Sequence, residues 1–244
     1  MRLPSPSQEQ RLALLFAAVK AYFLPIILNF FFSNLSNLSI YLNSWQNQRL
    51  VPELFPYFVF PLLVALIFVV DTLYFSFGYA VEAGFLRNNV RSVEPTVFRW
   101  AVALMSYPPF STYMVQFIGW YPDLHMDFSP LWLVTVMRAA ILALLLVYVA
   151  ATIALGAKCS NLTNRGIVSS GPYGFVRHPA YASKVVAWWL VLLPLMSHII
   201  FLSMAAWSFI YFLRAITEER HLLADQDYVD YCRKVRYRFI PFVY

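Results

Sequence analysis

The chain has 244 residues, 61% of them hydrophobic and only 12% charged. A soluble domain of that length carries roughly twice that charged fraction to cover its surface, so the composition excludes an ordinary soluble fold. The net charge of +6 does not point to nucleic acid, because the basic residues are dispersed among apolar runs, a pattern that suits anionic lipid headgroups.

From the N-terminus, Leu12–Phe32 carries Lys20 and lacks a small-residue cleavage site, so it reads as a first span and not as a cleaved signal. The stretch Ser33–Glu53 reads as a loop, and its sequons at Asn34 and Asn37 read as chance triplets in an Asn/Ser-rich segment. Leu54–Phe77, Val97–Trp120 and Leu131–Leu155 follow, each long enough to cross ~30 Å of hydrocarbon. Tyr107-Pro108-Pro109-Phe110 interrupts the third of these spans, as a kink or as a portal. The apolar stretch Val185–Leu213 is too long for one span and is broken by Pro194 and Ser197-His198. It reads as a tight hairpin of two short helices, each somewhat under full span length. The expected fold is therefore all-α: a polytopic integral membrane protein of about six transmembrane helices with a short C-terminal helical hairpin. The chain ends on Pro241-Phe242-Val243-Tyr244, which is not a lipidation box. Abundant aromatic residues (sixteen Tyr, twenty-two Phe and seven Trp) fit interfacial belts.

The loop charges set an expected orientation. The Asp123–Asp127 loop holds no Lys or Arg, and Ser33–Glu53 holds only Arg49. The opposite side carries Arg2, Arg11, Arg87, Arg91, Arg99, Lys158, Arg165, Arg177 and Lys184, and the tail adds six more from Arg214 to Arg238. Positive-inside then places both termini in the cytoplasm, which agrees with an even number of crossings. Cys159 and Cys232 fall on that side, where a disulfide or metal framework is not expected, and a sequon at Asn161 cannot be glycosylated there. Asp71 and Arg138 lie inside spans, where an ionisable side chain is either functional or a snorkelling or hydrogen-bonded structural group. At ~1.5 Å per residue their depths differ by more than about two helical turns, so no direct pair is expected.

Polar residues concentrate in two cytoplasmic segments on either side of the hairpin, Lys158–Tyr181 and Arg214–Leu222. The hairpin returns the chain to the same face, so the two can meet. Gly171-Pro172 demands a turn, and Gly166, Gly171 and Gly174 let backbone approach a ligand closely. Tyr173 and Tyr181 offer π-faces with a polar tip. His178 precedes Pro179 and is expected in an extended conformation that exposes its backbone and ring. Arg214 and Glu218 are four apart, on one helix face.

The order and spacing of Gly171-Pro172-Tyr173, Arg177-His178-Pro179-x-Tyr181, Arg214-x-x-x-Glu218-Glu219 and Tyr228-x-x-Tyr231 leading to Ile240-Pro241 resemble the isoprenylcysteine carboxyl methyltransferase and phospholipid methyltransferase superfamily. The resemblance covers roughly Leu155 to Tyr244. It implies S-adenosylmethionine as cofactor, with Lys158, Arg165, Gly166, Ile167, Val168, Tyr173, His178, Pro179, Ala180, Tyr181 and Glu218 on the cofactor side and Arg214 beside the reacting group of the substrate. It also implies a lipid or prenylated acceptor within the membrane and no metal or nucleic acid. On this reading residues 1–154 are spans that shape substrate access, and residues 155–244 carry the methyltransferase region. Ser183-Lys184 departs from the small-then-apolar pair usual in the family, and Gln226 replaces a common Gly. The Val235-Arg236-Tyr237-Arg238 run is also similar to membrane sterol reductases, so two alternatives stand beside carboxyl methylation. One is phospholipid N-methylation, the other an NADPH-dependent sterol-type reduction. Against the first, an arginine beside an ammonium acceptor is counterproductive. Against the second, Pro179-Ala180 stands where the reductase motif has Asn before its Tyr.

Overall fold

A computed structural model describes residues 7–122 and 128–243. Arg2, the Asp123–Asp127 loop and Tyr244, all part of the sequence reading, lie outside the described residues.

The first helix, α1 (Gln8–Ser44), opens on a capping box: the Gln10 N–H donates to the Ser7 hydroxyl at 3.2 Å, and the Ser7 N–H to the Gln10 side chain at 2.9 Å. It does not stop near Phe32 but continues to Ser44, through the first part of the stretch expected to be a loop; a 3-10 turn follows at Trp45–Asn47, and residues 48–53 are not helical. The hydroxyls of the polar run are satisfied within the helix: Ser39 donates to the Ser36 carbonyl at 2.7 Å and Ser44 to that of Ile40 at 2.8 Å. The Asn34 amide reaches across to the Phe68 carbonyl at 3.5 Å, so Asn34 sits at a helix–helix contact.

A π-helical turn, Phe55–Val59, leads into α2 (Phe60–Ala80). The expected third span is broken. Two short helices, α3 (Val97–Leu104) and α4 (Phe110–Ile118), flank Tyr107-Pro108-Pro109, because two successive residues without an N–H end a helix and do not merely bend it. The next helix, α5 (Leu131–Leu155), matches the predicted span. The hairpin forms, but unequally. Its first arm, α6 (Pro179–Leu192), is short and ends in a 3-10 turn at Leu193–Leu195, whereas α7 (His198–Leu222) is long enough to span. Ser197 starts it by accepting the Ile200 N–H. An amphipathic helix, α8 (Gln226–Lys234), closes the fold.

Among the described residues, four segments are long and apolar enough to cross a membrane: Gln8–Asn47, Phe55–Ala80, Leu131–Lys158 and His198–Leu222. They make an integral membrane protein, mostly helical, and they are two fewer than the sequence pattern predicts. The helices pack α1 on α2, α2 on α5, α5 on α6 and α3 on α7. Fully buried Val19, Phe23 and Tyr79 form one core, with the Phe23 and Tyr79 rings stacked at 5.6 Å. Ile67, Ile141, Leu145 and Ala187 form a second, between α2, α5 and α6. Exposed Leu66, Leu73, Leu146 and Phe209 leave apolar surface for hydrocarbon. One departure from all-α is a two-residue antiparallel ladder between β1 (Ser92–Val93) and β2 (Thr163–Asn164). It ties the α2–α3 connection to the segment after α5.

Asp71 and Arg138 do not meet. Asp71 accepts hydroxyls from Tyr148 at 2.7 Å and Thr152 at 2.6 Å. Arg138 donates to the Pro56 carbonyl and lies 4.8 Å from the Tyr57 ring and 5.5 Å from that of Phe60.

A Cβ at Gly78 on α2 would collide with the Cys159 carbonyl, whereas one at Gly84 meets nothing within 4 Å. Gly78→Ala is expected to cost about 1–3 kcal/mol and to lower Tm in detergent. Gly84→Ala, measured alongside, should leave Tm unchanged.

Candidate active site

The hairpin carries the start of α6 and the end of α7 to the same side. The segment before α6 turns twice where only glycine is comfortable. Gly171, at φ +60°, opens a 3-10 turn with Pro172 and Tyr173. Gly166, at φ +91°, sits where a Cβ would come within 3.2 Å of both Arg91 Nη2 and Lys158 Nζ.

These elements enclose a cavity of about 390 Å³, within the ~300–1,000 Å³ usual for ligand sites. Lys158, Arg165, Gly166, Ile167, Val168, Tyr173, His178, Ala180, Tyr181, Arg214 and Glu218 all line it. Pro179 does not; it is buried at the first turn of α6. Eleven of the twelve residues expected from the sequence are thus brought to one cavity.

Glu218 accepts the Tyr181 hydroxyl at 2.9 Å. Arg214 is buried; its Nη2 donates to the Asn161 Oδ1 at 3.1 Å, and its guanidinium lies 5.1 Å from the Tyr211 ring, 5.4 Å from Tyr181 and 5.6 Å from Tyr107. Among the described residues no carboxylate is within ion-pair distance of Arg214, so aromatic faces partly offset its buried charge. Arg165 is also buried. Its Nη1 donates to the Asn88 carbonyl at 2.9 Å, while Nε and Nη2 have no partner among the described residues. Burial pulls its pKa below the usual arginine value. Burial likewise holds the Tyr173 hydroxyl well above the usual phenol range, so it stays a neutral donor.

His178 corrects an expectation. Its ring is not exposed: it is buried, with Nε2 3.2 Å from Glu219 and the ring stacked on Tyr181 at 5.5 Å. Its backbone N–H is also taken, donating to the Arg238 carbonyl at 2.9 Å. The π-face of Tyr181 is correspondingly engaged by His178 and Arg214 within the protein.

The sequence reading missed several lining residues. Asn161 was noticed only as a sequon and Tyr107 only beside the proline pair, yet both hold Arg214. Lys184 stood out as a departure from the family, and Asp71 as an ionisable group within a span; both line the cavity. An amide, a phenol, a lysine and an aspartate in apolar surroundings were the available signal.

Two networks brace the site. Glu94 receives the Thr96 hydroxyl at 2.5 Å and Arg99 at 3.0 Å, and His221 Nδ1 lies 3.4 Å away, tying the α2–α3 connection to the end of α7. Arg91 bridges Asp225 at 2.9 Å and Asp227 at 2.6 Å, and Asn164 donates to Asp225 at 2.8 Å, fixing the start of α8.

The chain is thus a helical membrane protein whose hairpin gathers buried arginines and a carboxylate around one polar cavity. Residues 132–224 match the family model described as the isoprenylcysteine carboxyl methyltransferase family, in agreement with the resemblance of the motifs. The match takes in α5, the hairpin and most of the cavity-lining segment, and it supports a membrane methyltransferase. No curated protein matches the chain.

Burial alone would raise the Glu94 pKa, but hydrogen bonds from Thr96 and the Arg99 charge outweigh it and hold the carboxyl below its ordinary 4.5. A carboxyl depressed in the folded state contributes stability that is present above the unfolded value and is lost as pH falls through the folded one. Detergent-solubilised protein should therefore lose Tm below about pH 4.5. Glu94→Gln, less stable at pH 7 by about 3–5 kcal/mol, should show a flatter Tm profile across that acid window.

Proposed function

We propose that the protein is a membrane-embedded, S-adenosylmethionine-dependent methyltransferase that O-methylates the carboxylate of an isoprenylcysteine or a similar lipidic acceptor. The observation that carries this reading is the shared cavity of Glu218, Arg165 and Arg214, all within the matched region. The cofactor carries an α-ammonium, an α-carboxylate and an adenosyl group, and the donor set fits them. Glu218 accepts from the ammonium. Lys158 meets the carboxylate, while the Arg165 guanidinium, seated on the Phe16 ring at 5.3 Å and bonded to the Asn88 carbonyl, holds the wall of the cavity behind it. Gly166 lets the backbone approach closely. When bound, S-adenosylmethionine supplies an activated methyl group on a sulfonium.

Arg214 aligns the acceptor carboxylate through its planar fork, and positioning supplies much of the rate. A carboxylate is already ionised at neutral pH, so the site has no need of a general base. The aromatic wall of Tyr107, Tyr181 and Tyr211 excludes water from that contact. On this reading residues 155–244 hold the cofactor and residues 1–154 shape lipid access. The site and both termini face the cytoplasm, in the endoplasmic reticulum of a eukaryote or the inner membrane of a bacterium.

Glu218→Gln should weaken cofactor binding in calorimetry by roughly ten- to a hundredfold, the worth of a charge-assisted hydrogen bond. Arg214→Lys should leave cofactor affinity near wild type while methyl transfer to a prenylcysteine analogue collapses. Near-normal transfer by Arg214→Lys removes the carboxylate alignment, and saturable NADPH binding without S-adenosylmethionine binding replaces the reading with a reductase.

Orientation is checked in intact cells with the protein in the cell-surface membrane, in a Cys232→Ser background because Cys232 is a free, partly exposed thiol. An impermeant reagent added from outside intact cells should label a cysteine at Asp123 and spare one at the exposed Gln226. The reverse pattern puts the site on the opposite face.

A further inference from the structure

The cavity does not end at Arg214. It continues between α1, α2, α5 and α6, past Asp71, Phe68 and Tyr148, and Lys184 projects into this membrane-side arm from the second turn of α6. A lysine within an apolar helix is expensive, and one facing a cavity marks a binding path. Its ammonium lies 5.1 Å from the Tyr148 ring, 5.4 Å from Trp188 and 6.0 Å from Phe68. Among the described residues no oxygen is within hydrogen-bond or ion-pair reach of it.

Asp71 is close enough to interact electrostatically with Lys184, yet it does not saturate the ammonium. Its two carboxylate oxygens take their hydrogen bonds from the hydroxyls of Tyr148 and Thr152. The carboxylate therefore offsets part of the desolvation of the lysine charge while leaving its N–H groups directed at the cavity. Lys184 and Arg214 also share no ring: one rests on Phe68, Tyr148 and Trp188, the other on Tyr107, Tyr181 and Tyr211. Trp188 and Tyr211, in edge contact at 5.1 Å, stand between them. The two cations thus rest on separate aromatic surfaces of the one cavity.

We propose that Lys184 is a specificity-determining residue that binds an oxyanion of the acceptor lipid other than the carboxylate that is methylated. The proposal rests on the methyltransferase reading for the reacting group, but the binding it describes does not require turnover. The shared ligand chemistry is an oxyanion near an apolar chain, either a second carboxylate or a phosphate ester. Neutral and cationic headgroups gain nothing from Lys184.

The test is a binding titration of the detergent-purified protein by thermophoresis. The probes are S-farnesyl-N-acetylcysteine, with one carboxylate; its N-succinyl counterpart, with two; and, against a monoacylglycerol, a lysophosphatidic acid. Wild type should bind the N-succinyl compound about tenfold or more tightly than the N-acetyl one, or lysophosphatidic acid by the same margin over the monoacylglycerol. Whichever pair shows the margin names the oxyanion. Lys184→Met should abolish that margin and Lys184→Arg should keep it, with S-adenosylmethionine affinity unchanged in both as the control for folding. Equal affinities within both pairs for wild type, or a margin that survives in Lys184→Met, overturns the proposal. Lys184-dependent margins with no methyl transfer to any acceptor overturn the methyltransferase reading instead and leave this one standing.

Discussion

Three basic side chains converge on the buried carboxylate of Glu219: Arg177 at 3.3 Å, His178 at 3.2 Å and Arg238 at 2.9 Å. They come from the entrance to α6 and from the C-terminal tail, while Glu219 itself lies near the end of α7. Arg177 adds donations to the Val235 and Arg236 carbonyls at 2.9 Å each. The Arg177 and His178 amides bond to the Tyr237 and Arg238 carbonyls at 2.9 Å. Removing one partner from a buried ionic cluster costs about 3–5 kcal/mol, so few alternative registers of α6 against α7 survive. The clamp thereby sets the entrance of α6 against the end of α7, where His178, Tyr181 and Glu218 line the cavity.

Its first consequence is a division between neighbouring acids. Residues adjacent on a helix point about 100° apart. With Glu219 turned into the clamp, Glu218 is turned to the cavity, where Tyr181 reaches it at 2.9 Å. Arg214, one turn earlier on the same face as Glu218, comes to lie against Tyr181 and Tyr211. The doubled acid that looks redundant in sequence is two groups with different neighbours. One builds the site and the other faces its contents.

The hairpin, the clustering of Lys158–Tyr181 with Arg214–Glu218 and the family resemblance were legible in sequence, because they rest on spacing within short segments. The lapses occurred where spacing is silent. The polar residues of Ser33–Ser44 suggest a loop, yet the segment is helical, with Asn34 bonded across to the Phe68 carbonyl and the hydroxyls satisfied within the helix. His178 was expected to be exposed because it precedes a proline. That rule constrains its backbone and says nothing of the carboxylate that captures its ring. The proline pair is visible in sequence as a kink or a portal, and two successive residues without an N–H divide the span outright, with the Tyr22 hydroxyl donating to the Pro108 carbonyl at 2.7 Å at the break.

The sequence by itself determined that this is a helical membrane protein and that its motif-bearing polar residues gather in the last third of the chain. Those conclusions follow from composition, apolar length and local order, which the chain carries along its own axis. Only the tertiary structure decided which groups meet across helices: Asn161 and Tyr107 on Arg214, Tyr148 and Thr152 on Asp71, and Lys184 among aromatic rings beyond them. These contacts join positions tens of residues apart. Their geometry is set by the packing of α2, α5, α6 and α7 together, and no single segment encodes it.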